Sequence, residues 1–194
     1  MVALSPNIVK EFCKLCNWAY ESWITYRTTF DDNPNIEKLR TSECSEYFTR
    51  LRDIMHEYVL LQLMKLHDPA VMGNDINLTF EYVINYGGWN QQTVLELRNL
   101  LNTLNRLKES IKPARNKVLC HNDLKAIIDN LPLGEFDKDK DAEYFDALQK
   151  FVNLIYGEPY PFNDLSKVDA NIFLEYFVIA ADERARRSKM IKKA

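Results

Sequence analysis

Apolar residues recur along the chain at intervals of three and four, the spacing that places side chains on one face of an α-helix. Glycines and prolines fall between these periodic runs or in their first turns, where they end or begin helices. The pattern predicts seven helices, over residues 5–28, 36–67, 77–86, 90–111, 113–130, 140–156 and 166 to beyond 184. No segment alternates apolar and polar residues long enough to predict a strand.

The candidate core lies on the apolar faces of these helices. The positions that share a face are Phe12, Leu15, Cys16, Ala19, Trp23 and Tyr26 in the first helix, Cys44, Tyr47, Phe48, Leu51, Ile54, Met55 and Tyr58 in the second, Val94, Leu97, Leu101 and Leu104 in the fourth, and Phe145, Leu148, Val152 and Ile155 in the sixth. Most joints between helices are short, so neighbouring helices should pack antiparallel. The expected fold class is all-α, an antiparallel bundle of about six to seven helices that forms a single domain over residues 1–194.

The composition agrees with a folded, soluble protein. Apolar residues make up 46% of the 194 positions, enough for a packed core. The longest apolar cluster, residues 58–64, is far shorter than the roughly 20 residues that span a bilayer. No basic start followed by an apolar run indicates a secretory signal. We therefore expect a cytoplasmic protein without a membrane partner.

The net charge of −3 argues against a protein that coats nucleic acid through bulk charge. The charges are nevertheless unevenly spread. Residues 98–125 hold seven basic and two acidic side chains, whereas residues 129–146 hold seven acidic and two basic ones. Six basic residues lie in 182–194, where cations near a helix carboxyl end complement its dipole.

Cys13 and Cys16 have the spacing of a zinc-binding pair, but no second pair with metal-ligand spacing follows. Residues three apart share a helix face, so two buried free thiols are the favoured interpretation. The alternative is a metal-binding module, which needs further ligands such as Cys44. No cofactor is expected.

Few catalytic motifs are compatible with the chain, which has no glycine-rich phosphate loop, GxSxG or HExxH motif and only three histidines. An arginine followed six positions later by a histidine occurs twice, as Arg50 and His56 and as Arg115 and His121. Within one helix such side chains point about 120° apart. The first pair lies in mid-helix and is interpreted as a solvated flank. The second follows Pro113, at a first turn whose unpaired N–H groups attract anions.

The segment PARNKVLCHND, residues 113–123, resembles the Arg-(four to six residues)-His signature of the HEPN superfamily, the higher eukaryote and prokaryote nucleotide-binding helical domains. Many members have a polar residue after the arginine, often Asn, as Asn116 is here. The segment KLHDPAVMGNDINLTFEYVI, residues 65–84, resembles the abortive-infection-type branch. The resemblance spans about residues 35–130. Cys120 departs from the small residue, such as alanine, that this branch often has.

The resemblance implies a metal-independent endoribonuclease that acts as a homodimer. The two signature helices meet near the two-fold axis, so that Arg115 and His121 of both copies form one composite site. There His121 serves as acid or base, Arg115 holds phosphate oxygens and Asn116 assists. Lys112 and Lys117 are expected to bind the RNA substrate. The implied role is a toxin or phage-defence effector of abortive infection, with an antitoxin or other partner protein as a further candidate partner.

Two alternatives remain open for this segment. In one, the chain is a non-catalytic HEPN-like helical adaptor that binds nucleotide or a partner protein. In the other, Arg115 and Lys117 form a solvated helix start, and His121 shares a helix face with Leu124 and Ile128 at the edge of the core. An RNA cleavage assay and the location of His121 distinguish these alternatives from the ribonuclease.

Overall fold

The structure, a computed structural model, describes residues 5–111 and 140–191. These residues form seven α-helices, a short π-helical turn and a two-stranded hairpin. The elements are α1 (Pro6–Tyr26), the π-helical turn (Arg27–Asp31), α2 (Ile36–Thr41), α3 (Ser45–Leu66), β1 (Val71–Met72), β2 (Asp75–Ile76), α4 (Phe80–Tyr86), α5 (Gln91–Lys108), α6 (Lys140–Tyr156) and α7 (Leu165–Ile191). The predicted all-α class is confirmed. None of the described helices is long and apolar enough to cross a membrane.

The prediction of a single helix over residues 36–67 is wrong, because the helix is interrupted between α2 and α3. Ser42 is extended there, with ψ 163°. Its hydroxyl donates to the Leu39 carbonyl oxygen at 2.9 Å and accepts from the Cys44 N–H at 3.2 Å. Serine side chains that bond to nearby backbone groups compete with helix continuation. Hydrophobic spacing carries no signal of such a bond, so the pattern could not reveal the break.

A small antiparallel hairpin lies between α3 and α4, where no strand was predicted. Val71 of β1 is opposite Ile76 of β2, and Met72 is opposite Asp75. Gly73 in the turn has φ 62°, a left-handed conformation that glycine adopts without a Cβ clash. Each strand has two residues, too few for a period-two pattern to be detected.

The helix starts after this hairpin are fixed by side-chain caps. Asn77, the predicted cap of the next helix, instead donates from its amide to the Pro69 carbonyl oxygen at 3.0 Å. Thr79 is the N-cap of α4, two residues later than the predicted cap. Asn90 caps α5 by accepting a 2.8 Å hydrogen bond from the Thr93 N–H.

The described residues cluster into two compact units. Unit 1 comprises residues 5–20, 60–111 and 140–162, and unit 2 comprises residues 21–59 and 163–191. The single domain expected over the whole chain stays a prediction.

Unit 1 has an aromatic centre. Phe12 of α1, Phe80 of α4 and Phe151 of α6 are fully buried, and their ring centroids lie 5.0 to 6.1 Å apart. Edge-on and tilted ring pairs contribute about 0.5–1.5 kcal/mol each beyond the area that they bury. α5 packs along α6. Most of the predicted core positions of these two helices are confirmed as buried, namely Leu97, Leu101, Leu104, Phe145, Leu148, Val152 and Ile155.

The core of unit 2 is smaller and contains Leu39, Phe48 and Leu174, with Phe177 packed edge-on against Phe48 at 4.6 Å. The predicted core face of α3 is largely wrong. Phe48 is buried, but the neighbouring apolar positions Cys44, Tyr47, Ile54 and Tyr58 are exposed. Leu15 of α1 is also exposed. A helix with apolar residues on two faces buries one of them, and spacing alone does not say which one.

Candidate functional site

The predicted site residues lie outside the described residues. They are Lys112, Arg115, Asn116, Lys117 and His121, and Cys120 falls in the same segment. The described chain leads to them through α5, whose last turn holds Arg106 and Lys108. Ile111 is fully buried and donates its N–H to the Lys108 carbonyl oxygen at 3.0 Å. The chain is therefore fixed to the core of unit 1 up to Ile111.

An ion network joins the last turn of α5 to the first turn of α6, the two helices that flank the predicted site in the sequence. The Glu143 carboxylate accepts from Lys140 at 2.9 Å and from Arg106 at 3.3 Å. The hydrogen bond from Lys140 is the largest of the effects that lower the pKa of Glu143, and Arg106 adds to it. These exposed contacts contribute little to stability, because solvent screens surface ion pairs. They show that the two helix ends that bracket residues 112–139 lie next to each other.

His56, the histidine of the other Arg-x5-His pair, lies on α3. Its ring stacks on that of Tyr26, with centroids 5.4 Å apart and an angle of 24° between the planes. Arg50 lies on the same unbroken helix and is exposed, as expected for a solvated flank. The side chains of this pair diverge within one helix.

His67 immediately follows α3 and connects three helices of unit 1. Its Nδ1 lies 3.0 Å from Asn105 Oδ1 on α5, and its Nε2 lies 2.8 Å from the hydroxyl oxygen of Tyr144 on α6. The amide oxygen only accepts, so Nδ1 carries the proton and Nε2 accepts from the hydroxyl of Tyr144. Phe80 lies beside the imidazole, with the ring centroids 4.8 Å apart. Both ring nitrogens are thus occupied.

The environment of His67 keeps its imidazole neutral. Burial lowers the pKa of His67 to about 3, the charge of Lys108 adds to this effect, and the hydrogen bond with Asn105 opposes it. Burial also raises the pKa of the Tyr144 hydroxyl well above its usual value. An imidazole that does not titrate near neutrality is a poor general acid or base. His67 therefore has a structural role.

The sequence alone does not predict this network. One signal was present, because Asn105 follows Leu101 by four residues and so lies near the buried face of α5. A polar side chain at such a position needs a hydrogen-bond partner. Tyr144, which binds the other ring nitrogen of His67, is 77 residues away from it in the sequence. Neither residue type nor spacing indicates that they meet.

We expect the free energy of unfolding to fall as the pH is lowered from 7 to 4, because His67 binds a proton in the unfolded chain but not in the folded one. Its pKa is about 3 when folded and ordinarily about 6.5 when unfolded. The unfolded state binds more protons between these values, so stability decreases by up to about 1.4 kcal/mol per pH unit. Denaturant titrations at several pH values measure the slope.

The His67→Gln variant removes the titrating group and should flatten this dependence. His56→Gln is the matched control and should retain the part of the slope that belongs to His67. If the parent and His67→Gln show the same slope, the depressed pKa of His67 is wrong.

The Cys13–Cys16 segment belongs to the core of unit 1. Both thiols are fully buried and neither forms a disulfide, so the burial expected of the pair is confirmed. Burial raises the pKa of Cys13 to about 11 and that of Cys16 well above its ordinary value. The thiols are therefore protonated at neutral pH. In residues 5–111 and 140–191, no three His, Cys, Asp or Glu side chains are arranged to hold a metal ion.

These features define an all-α protein with a histidine-linked helical core. The family model HEPN_AbiU2, described as AbiU2, matches residues 6–173. The chain therefore belongs to this HEPN-type abortive-infection family, and the resemblance seen in the sequence is confirmed. The match includes α1, α6 and the start of α7, which lie beyond the range of about 35–130 recognised from the sequence. No curated protein and no solved structure matches the chain significantly.

Proposed function

We propose that the protein is a metal-independent endoribonuclease of abortive infection, active as a homodimer in the cytoplasm. The observation that carries this proposal is the family match over residues 6–173. Arg115 and His121 fall inside the matched range, and their spacing fits the signature of active HEPN nucleases. As a toxin, such an enzyme requires control, and an antitoxin protein is the partner that we propose for this purpose.

The other histidines support the assignment of His121. The chain has three histidines. His67 is held neutral by burial, with both ring nitrogens occupied, and His56 is stacked on Tyr26. Of the other two histidines, His121 is the one within the family signature, and we assign proton transfer to it.

The proposed reaction is cleavage of RNA by its own 2′-hydroxyl. A base removes the 2′-hydroxyl proton, the oxygen attacks the adjacent phosphorus, and an acid protonates the departing 5′-oxygen. The products are a 2′,3′-cyclic phosphate and a 5′-hydroxyl. His121 supplies one proton-transfer group per chain, so a base–acid pair requires His121 from both copies.

The remaining site residues fit the charge that develops in this reaction. Arg115 stays protonated, and its planar fork matches two phosphate oxygens in the phosphorane. Asn116 can donate to a phosphate oxygen or orient an imidazole. Lys112 and Lys117 extend the positive charge along the RNA backbone. The basic side chains of residues 98–125 surround the proposed site in the sequence and favour a polyanion.

We expect the purified protein to cut RNA at the same rate with and without a chelator such as EDTA, because side chains supply both proton transfers and the charge stabilisation. The fragments should carry 2′,3′-cyclic phosphate and 5′-hydroxyl ends, which kinase labelling and mass spectrometry detect. Total cellular RNA is a suitable first substrate. Loss of cleavage on chelation would contradict the mechanism. RNA binding without cleavage would favour the non-catalytic adaptor.

A further inference from the structure

Helix α7 of unit 2 has apolar residues on two opposite faces. Its inner face packs in the unit 2 core through Leu174, with Ala170 also buried. Its outer face carries five large apolar side chains that are 43–70% exposed. We call them the outer seam: Leu165, Val168, Ile172, Tyr176 and Ile179.

The outer seam is a narrow continuous stripe. At 100° per residue its five positions fall within an arc of about 80°, roughly opposite Ala170 and Leu174. A helix that is apolar on both sides is normally covered on both sides. Scattered exposed apolar residues are common, but a contiguous patch marks an interaction surface. The seam therefore indicates a partner for α7.

The spacing of the seam indicates which partner. Successive seam residues are three, four, four and three positions apart, which is the same sequence of steps in either direction from Ile172. An antiparallel helix related by a two-fold axis would place Ile172 against Ile172 of the second copy. Leu165 would meet Ile179, and Val168 would meet Tyr176. We propose that a second copy of this chain covers the outer seam, with the two α7 helices packed antiparallel.

The apolar area is close to what such a contact needs. Covering a large half-exposed apolar side chain removes on the order of 100 Å² from water at about 25 cal/mol per Å². The five seam residues and the exposed Phe173 beside them then bury roughly 600 Å² per chain, near the lower end of specific interfaces. Polar residues at the rim of the seam add to this area.

Charge favours the antiparallel orientation. The carboxyl end of α7 carries Arg184, Arg186 and Arg187 in four residues, and Asp164 precedes the helix at the other end. Arg184 pairs with Glu43 and Arg187 with Glu183, but two parallel copies would still bring these arginines side by side. Antiparallel packing separates them and aligns the helix dipoles favourably. In this register Asp164 of one copy lies opposite Ala180 of the other, one turn from Arg184.

This interface is independent of the proposed ribonuclease activity. It rests on the exposed face of α7, and it stands whether or not Arg115 and His121 cut RNA. Where both proposals hold, the α7 contact and the composite catalytic site belong to one dimer with one two-fold axis. The experiments on α7 therefore measure assembly and not cleavage.

Sedimentation equilibrium of the full chain tests the interface. The parent protein should be a dimer at micromolar concentration, and Ile172→Glu and Tyr176→Glu should each raise the dimer Kd by at least about a hundredfold, because a charge is placed in an apolar contact. Leu95→Glu is the matched control, since Leu95 is 56% exposed on α5 of unit 1, and it should stay dimeric. Circular dichroism checks that each variant is folded.

Three results would overturn the proposal. The first is a parent protein that remains monomeric at high concentration. The second is a dimer that survives both seam substitutions, in which case the copies meet elsewhere and the proposed catalytic dimer is untouched. The third is a dimer that dissociates with Ile54→Glu on α3 but not with Ile172→Glu, which would place the contact on the exposed apolar face of α3.

Disulfide trapping tests the register. In a background with Cys44→Ser and Cys120→Ser, Ile172→Cys should form a rapid intermolecular disulfide, because the two-fold axis brings the two Cβ atoms together. Leu165→Cys should not pair with itself, but it should pair with Ile179→Cys when the two variants are mixed. Equal trapping at Leu165→Cys alone would show that the antiparallel register is wrong.

Discussion

Replacing His121 by alanine is expected to lower the rate of RNA cleavage by about 10²- to 10⁴-fold. In a homodimer the substitution removes both imidazoles at once, and with them the base and the acid of the proposed reaction. Arg115→Ala should cause a comparable loss, because the phosphorane then lacks the guanidinium that offsets its charge. Initial rates on one labelled RNA, at saturating and subsaturating concentrations, separate the loss in kcat from any loss in binding.

His56→Ala is the matched control for this prediction, since His56 belongs to the same Arg-x5-His spacing but is stacked on Tyr26. It should cleave RNA at nearly the parent rate. Adding an excess of His121→Ala chains to the parent should lower the activity per parent chain, because a mixed dimer keeps one imidazole where the base–acid pair requires two. Unchanged activity in His121→Ala would remove the catalytic assignment. Unchanged activity per parent chain in that mixture would show that each site lies within one chain.

The helix positions were largely predictable, because apolar spacing and capping residues are local signals. α5 and α6 illustrate this, since their cores lie where the three-four spacing places them. The errors arose where a single polar side chain controls the backbone. Ser42 breaks the helix through bonds to Leu39 and Cys44, and Thr79 rather than Asn77 caps α4. Such hydrogen bonds depend on geometry that residue spacing does not encode.

The inward face of a helix was less predictable than its position. On α3, Phe48 is buried while Tyr47, Ile54 and Tyr58 remain exposed. Both faces are apolar, so the choice between them depends on the tertiary packing of unit 2. The same property appears in α7, where the second apolar face forms the outer seam. An apolar position that is predicted to lie in the core but is exposed thus identifies surface that residues 5–111 and 140–191 do not cover.

The candidate site was likewise predictable only in part. The Arg115–His121 pair was recognised from a family signature, and the family is confirmed, whereas the roles of the two residues remain proposals. The His67, Asn105 and Tyr144 network was not recognised, because it joins three helices that are far apart in the chain. A general acid or base must titrate near neutrality, and burial removes His67 from that range. Burial therefore argues against a catalytic role for His67.

Replacing Phe80 by alanine is expected to reduce the free energy of unfolding by about 3–5 kcal/mol. Phe80 is fully buried and touches the rings of Phe12, Phe151 and His67, so its removal leaves a cavity between α1, α4 and α6. A loss of this size is a large part of the 5–15 kcal/mol that typically stabilises a domain. Denaturant-induced unfolding, followed by circular dichroism, measures it.

Tyr86→Ala is the control for this substitution, because Tyr86 is an exposed aromatic residue at the end of the same helix. It should cost less than about 1 kcal/mol, as surface substitutions usually do. Phe80→Ala should also weaken the pH dependence of stability, because water that enters the cavity partly solvates His67 and moves its pKa back toward 6.5. A loss of stability in Phe80→Ala no greater than in Tyr86→Ala would contradict the aromatic centre of unit 1. A large loss with an unchanged pH slope would instead show that Phe80 packs the core without shielding the imidazole.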